Sequence, residues 1–161
     1  HYTKDLLKFD VIEIRVIDVQ ECPAADLAIA AATIAVLKLL VAQTWSTTAE
    51  QQSVAIDPLE QVLLTGIRDA EQATVEDPSV LRHFGVSDQK LTHGGLWQHL
   101  LSAAGQCGII ADEHQASLRA ILERGTLARR IRDRLPDSFH RAQLRTLYGE
   151  LAECLAAGTM F

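Results

Sequence analysis

Phe9-Asp-Val-Ile-Glu-Ile-Arg-Val-Ile-Asp-Val-Gln-Glu-Cys22 is the stretch on which the reading of this chain turns, because it sets charges into a run that is otherwise apolar and β-branched. Such residues favour a strand, and side chains on a strand alternate between two faces. A strand from Val11 to Val19 would put Ile12, Ile14 and Val16 on one face, toward a buried helix, and Glu13 with Arg15 on the other. Two residues apart along a strand is about 7 Å, so the carboxylate and guanidinium can serve one ligand or pair with each other. By the same alternation Asp18 falls on the opposite face, as a cap or turn group.

Downstream the pattern turns helical. Glu21-Cys22-Pro23 ends the strand, since proline suits a helix start and cannot continue a central ladder. The segment from Ala24 to Gln43 or Trp45 is apolar nearly all round, which describes a buried helix or a membrane span. Asp26 and Lys38 inside it, its alanine content and the missing aromatic belts favour a central buried helix.

Residues 46–53 are polar and read as a loop or a frayed helix end. Asp57-Pro58 opens a helix carrying Leu59, Val62, Leu63 and Ile67. Asp77-Pro78 opens a short turn or helix through Val80, Leu81 and Phe84, stopped by Gly85. Thr92 caps a helix striped by Leu96, Trp97, Leu100 and Leu101, in which Trp97, like Trp45, serves core packing. Asp112 caps the next, with Leu118, Ile121 and Leu122, which continues or kinks at Gly125 into Leu127, Ile131 and Leu135. Asp137 or Ser138 caps the last helix, whose face is Phe139, Leu144, Leu147, Leu151 and Leu155, and Gly158 ends it.

The sum is a mainly α chain: one N-terminal strand followed by about six helices in a small bundle, with residues 1–50 as one unit and 54–161 as a C-terminal helical region. A lone strand has no partner for its backbone groups, so a piece of a longer protein, or pairing across a homo-oligomer, is expected.

Of the 161 residues, 48% are hydrophobic and 22% charged, which fits a globular protein and not a disordered one. A net charge of -6 offers no general attraction for nucleic acid or anionic lipid. Cys22, Cys107 and Cys154 have no paired spacing and fit buried, reduced thiols in a cytoplasmic setting. His1, His83, His93, His99, His114 and His140 are scattered without zinc spacing, and Gly94-Gly95 precedes no phosphate-loop lysine. Arg119, Arg124, Arg129, Arg130, Arg132 and Arg134 form a basic stretch that reads as a solvated face balanced by Asp112, Glu113, Glu123 and Asp133. Its functional alternative is contact with a phosphate or a partner subunit.

From Asp10-Val-Ile-Glu-Ile-Arg to Pro23-Ala-Ala-Asp-Leu-Ala-Ile-Ala30, the sequence resembles the last catalytic strand and following helix of the type-2 glutamate-cysteine ligase (carboxylate-amine ligase) family. More faintly it is similar to the wider α+β glutamine synthetase-like fold. The resemblance covers about Tyr2 to Val41. It implies an ATP-dependent ligation in which a carboxylate is phosphorylated and the acyl phosphate is then attacked by an amine. It further implies that Glu13 is a Mg²⁺ ligand near the nucleotide, and that Arg15 is a catalytic and ATP-binding residue near a phosphate or substrate carboxylate. Hard oxygen ligands suit Mg²⁺ and a guanidinium suits both anions. The family's other metal carboxylates and most of its sheet are not in this sequence, so the remainder of the ligase domain, upstream of His1, is the expected partner. By itself this chain is expected to bind no ATP or Mg²⁺ and to be inactive. The alternative is a non-catalytic helical interaction or dimerisation module.

Overall fold

The structure, a computed structural model, describes residue 14 and residues 16–87 and 90–161. The protein is mainly α, with eight helices among the described residues. They are α1 Pro23–Val41, α2 Thr48–Gln52, α3 Ile56–Asp69, α4 Pro78–Arg82, α5 His93–Gln106, α6 Asp112–Arg124, α7 Leu127–Asp133 and α8 Arg141–Ala157. A 3-10 turn, Ala70–Gln72, follows α3. Two very short strands, β1 Thr74–Val75 and β2 Leu91–Thr92, pair antiparallel with Thr74 opposite Thr92 and Val75 opposite Leu91.

α1 is the hub, packing mainly on α6 and α5. Its buried positions are chiefly small: Ala25, Ala28, Ala32 and Ala35, with Val36 and Leu39. A stripe without bulk lets the facing backbones approach closely, and alanine costs no side-chain entropy in a helix. Ala28, Ala32, Ala35 and Leu39 pack with Ala104 of α5, Ile110 and Leu118 of α6. A second cluster joins Val36 to Val75, Val80, Leu81, Val86, Leu96 and Leu100. Trp45 touches both clusters and stands edge-on to Phe84, with 6.3 Å between ring centres. Although α1 is long and apolar enough to cross a membrane, 33% of its most apolar window is buried inside the protein.

Several local expectations hold for physical reasons that can be named. The Asp77 side chain accepts from the Ser79 amide and the Thr92 hydroxyl from the Gly95 amide, so both act as N-caps. Gly85, Gly125 and Gly158 all have positive φ where helices end. At Gly85 a Cβ would lie 2.5 Å from the Trp45 ring, so that turn requires glycine twice over.

Other expectations need correction. The polar stretch 46–53 holds α2, made by a capping box in which Thr47 and Glu50 exchange side-chain and backbone hydrogen bonds. α8 is capped by His140 with Gln143 rather than by Asp137 or Ser138. Of its expected stripe only Leu147 is fully buried, while Phe139 and Leu155 are exposed. Trp97 also faces outward, because Leu96 and Leu100 are the α5 positions turned to the core.

Candidate functional site

Glu13 and Arg15, the residues assigned to metal and anion, lie outside the described residues, as do residues 11 and 12 of the strand that would carry them. Its described part, residues 14 and 16–20, belongs to no ladder. Ile14 and Val16, expected to face a buried helix, are exposed, Val16 to 73%; Val19 is 82% exposed. The reason is that no neighbouring strand among the described residues offers this segment its hydrogen bonds, so neither face finds cover.

The segment becomes fixed at Gln20. Its amide donates to Asp26 Oδ1 at 2.9 Å, tying the approach of the chain to the first turns of α1. α1 itself has no side-chain cap at Cys22, and Asp18, expected as a cap or turn group, takes part through its backbone carbonyl, which accepts from the Gln20 side chain. Cys22, the N-cap position, is fully buried. It fits the expectation of core thiols, whereas Cys107 is exposed.

Between them sits Glu21, whose side chain is 0% exposed and meets Arg130 of α7, 7% exposed, at 2.6 Å. Arg130 Nε donates to the Gly125 carbonyl at 3.1 Å, and its Nη1 donates to the Phe161 carbonyl at 2.8 Å as well as to Glu21. Arg124 Nη2 also donates to the Phe161 carbonyl, and the Arg134 guanidinium lies 4.6 Å over the Phe161 ring. Among the described residues Glu21 Oε2 and Arg130 Nη2 find no hydrogen-bond partner.

A parallel contact lies one residue away, where Arg129 pairs with Glu71 of the 3-10 turn as a charge contact without hydrogen-bond alignment at Nε. Glu71 also lies close to Gly94 and Gly125: a Cβ on Gly94 would come within 3.4 Å of Glu71 Cβ, and one on Gly125 within 3.3 Å of Glu71 Oε1. Beside it, His93 rests against Gly66 of α3, and burial lowers the pKa of its imidazole.

Arg119, Arg124, Arg132 and Arg134 are exposed, as a solvated face requires, whereas Arg130 is buried and Arg129 half-buried. The partners of this basic stretch are not Asp112, Glu113, Glu123 or Asp133 but Glu21, Glu71, Glu150 and the Phe161 backbone. The missed acidic residues are 109, 58 and 16 positions from their arginines, spacings that no helix periodicity reveals. What these contacts can do is hold chain segments together. Among the described residues no three His, Cys, Asp or Glu side chains gather to hold a metal ion.

Two surface clefts are present among the described residues. One, lined by Pro78, Arg82, Gly85, Val86 and Ser87, brings a single charged side chain; the other contains Arg134 and Glu150, already paired with each other. Neither assembles an acid, a base and a nucleophile. Comparison with protein-family models, with curated proteins and with solved structures finds no match for this chain.

Proposed function

We propose that this chain is the C-terminal part of an ATP-dependent carboxylate-amine ligase of the glutamate-cysteine type, supplying one strand of an Mg·ATP site to a domain whose other parts lie upstream. Glu13 would contribute one oxygen ligand to Mg²⁺, and Arg15 would hold a phosphate or the substrate carboxylate. One carboxylate holds such an ion barely, so the chain alone is inactive and ATP and Mg²⁺ belong to the parent protein.

The observation that carries the reading is the state of the segment leading from that motif. Val16, Ile17 and Val19 are exposed and pair with no strand among the described residues, and the segment continues into a helix whose outer stripe, Leu27, Ile34 and Val41, is apolar and exposed too. Those three recur every seven residues and so lie on one side of α1. An exposed apolar segment that leads into a helix with an exposed apolar stripe supports a strand-and-helix unit whose sheet is supplied by other residues.

The test uses the parent protein, with ATP hydrolysis measured as a function of added glutamate and amine. Glu13→Gln and Arg15→Ala should each remove most of the turnover while leaving the fold intact. Turnover within a few-fold of wild type in both variants would set the reading aside.

A second reading, a helical dimerisation module, is favoured by α3. Its Ile56, Leu59, Leu63 and Ile67 form one exposed apolar stripe, and the helix buries no residue fully. If that reading is right, sedimentation will show a dimer that Leu63→Glu dissociates; a concentration-independent monomer rejects it.

A further inference from the structure

We infer that Arg130 is a positioning residue: through Glu21 it fixes residues 20–22, the turn by which the chain that carries Glu13 and Arg15 in sequence enters α1. The assignment of what it positions rests on the ligase reading; the anchor itself does not. Residues 20, 21 and 22 are held by three different means, namely the Gln20 amide on Asp26, the Glu21 carboxylate on Arg130, and the burial of Cys22. Four residues earlier Val16 is largely in solvent. Among the described residues the chain thus passes from exposed to anchored within four residues, and Glu21 is the side chain there that reaches the far end of the sequence.

A buried ion pair is a poor choice for stability alone. Desolvating both charges costs about as much as their attraction returns, and apolar residues of similar volume serve a core equally well. What the pair adds is geometry. The guanidinium is a planar fork, and here its directions are set by three acceptors at once: Gly125, at the turn between α6 and α7; Phe161, which follows α8; and Glu21. Arg130 thereby joins the C-terminal helices to the first turn of α1, where the candidate strand ends.

Hydrogen exchange at the Gln20 amide reads the anchor directly, because that amide is bonded only if the turn before α1 is formed. Two variants of the whole chain are compared with wild type: Arg130→Met, which leaves Glu21 buried and alone, and the double variant Glu21→Met with Arg130→Met, which removes both charges and keeps the volume. In the double variant the Gln20 amide should exchange at least about tenfold faster while the α5 and α6 amides keep their protection. Arg130→Lys, a point charge without the fork, should fall between wild type and Arg130→Met. Unchanged exchange at Gln20 in the double variant would overturn the inference, as would an equal loss of protection throughout α5 and α6, which would make the pair a general structural contact. This readout needs no turnover. Faster Gln20 exchange in a parent protein that ligates nothing supports the anchor and removes the ligase reading, whereas unchanged exchange removes the anchor in an active ligase as well.

Discussion

α1 and α3 differ in opposite senses from what their sequences lead one to expect. α1 is apolar on every side, with no preferred face, yet it buries a defined stripe of alanines against two other helices. α3 carries a clear one-sided stripe and buries none of its residues fully. The contrast separates two things that periodicity runs together. A stripe says which side of a helix needs cover, whereas the size of its residues says how closely a neighbour can approach. α1 is held because small side chains admit α5 and α6, and because Glu21 and Asp26 tie down the chain at its start. α3 is held at one side only, by Val62 at the edge of the second cluster and by Gly66 against His93.

The largest effect expected from breaking this contrast lies at the start of α1. Arg130→Met should cost about 3–5 kcal/mol in urea unfolding, since a buried carboxylate loses its partner. Removal of Arg134, whose pair with Glu150 is about half exposed, should cost no more than about 1 kcal/mol. Equal losses in the two would mean that burial does not distinguish them.

The helices themselves come next. Leu39→Ala in α1 should destabilise by about 2–5 kcal/mol, because the site is closed on all sides and cannot collapse fully. Leu63→Ala in α3 should fall within about 0.5 kcal/mol of wild type. A large loss at Leu63 would show that its stripe is covered in solution.

A smaller effect concerns the connection between the two helices. Thr47→Ala removes the capping box of α2 and should cost about 1 kcal/mol, seen as a lower unfolding midpoint.

The mildest is a pH effect on α3. The folded-state pKa of His93 is lowered from 6.5 by burial, so folding favours the neutral ring. Its contribution is fully present above pH 6.5 and is lost as pH falls from there through the folded value. Unfolding midpoints should decline over that range in wild type and decline less in His93→Gln. Identical profiles would show that protonation of this ring costs the fold nothing.

Much of the helical architecture was legible because its signals are local. Asp77 and Thr92 announce caps, and Gly85, Gly125 and Gly158 mark ends that require positive φ. The strand was the opposite case. Val16 to Val19 has the composition of a strand, but a ladder needs a neighbour, and β-propensity does not create one. The anchor was illegible for a different reason: Glu21 looks like a turn residue and Arg130 like one of several surface arginines until the fold brings them within 2.6 Å. In the sequence Arg130 reads as one of several solvated charges, because acids on the neighbouring helical segments can balance it. Nothing local tells a buried guanidinium from an exposed one.

Glu21 and Arg130 act together across the fold. A double-mutant cycle of Glu21→Gln and Arg130→Met, read by urea unfolding, measures that directly. The predicted coupling is about 1–3 kcal/mol, with the double variant less destabilised than the two single losses sum to. Additivity to within about 0.5 kcal/mol would contradict it.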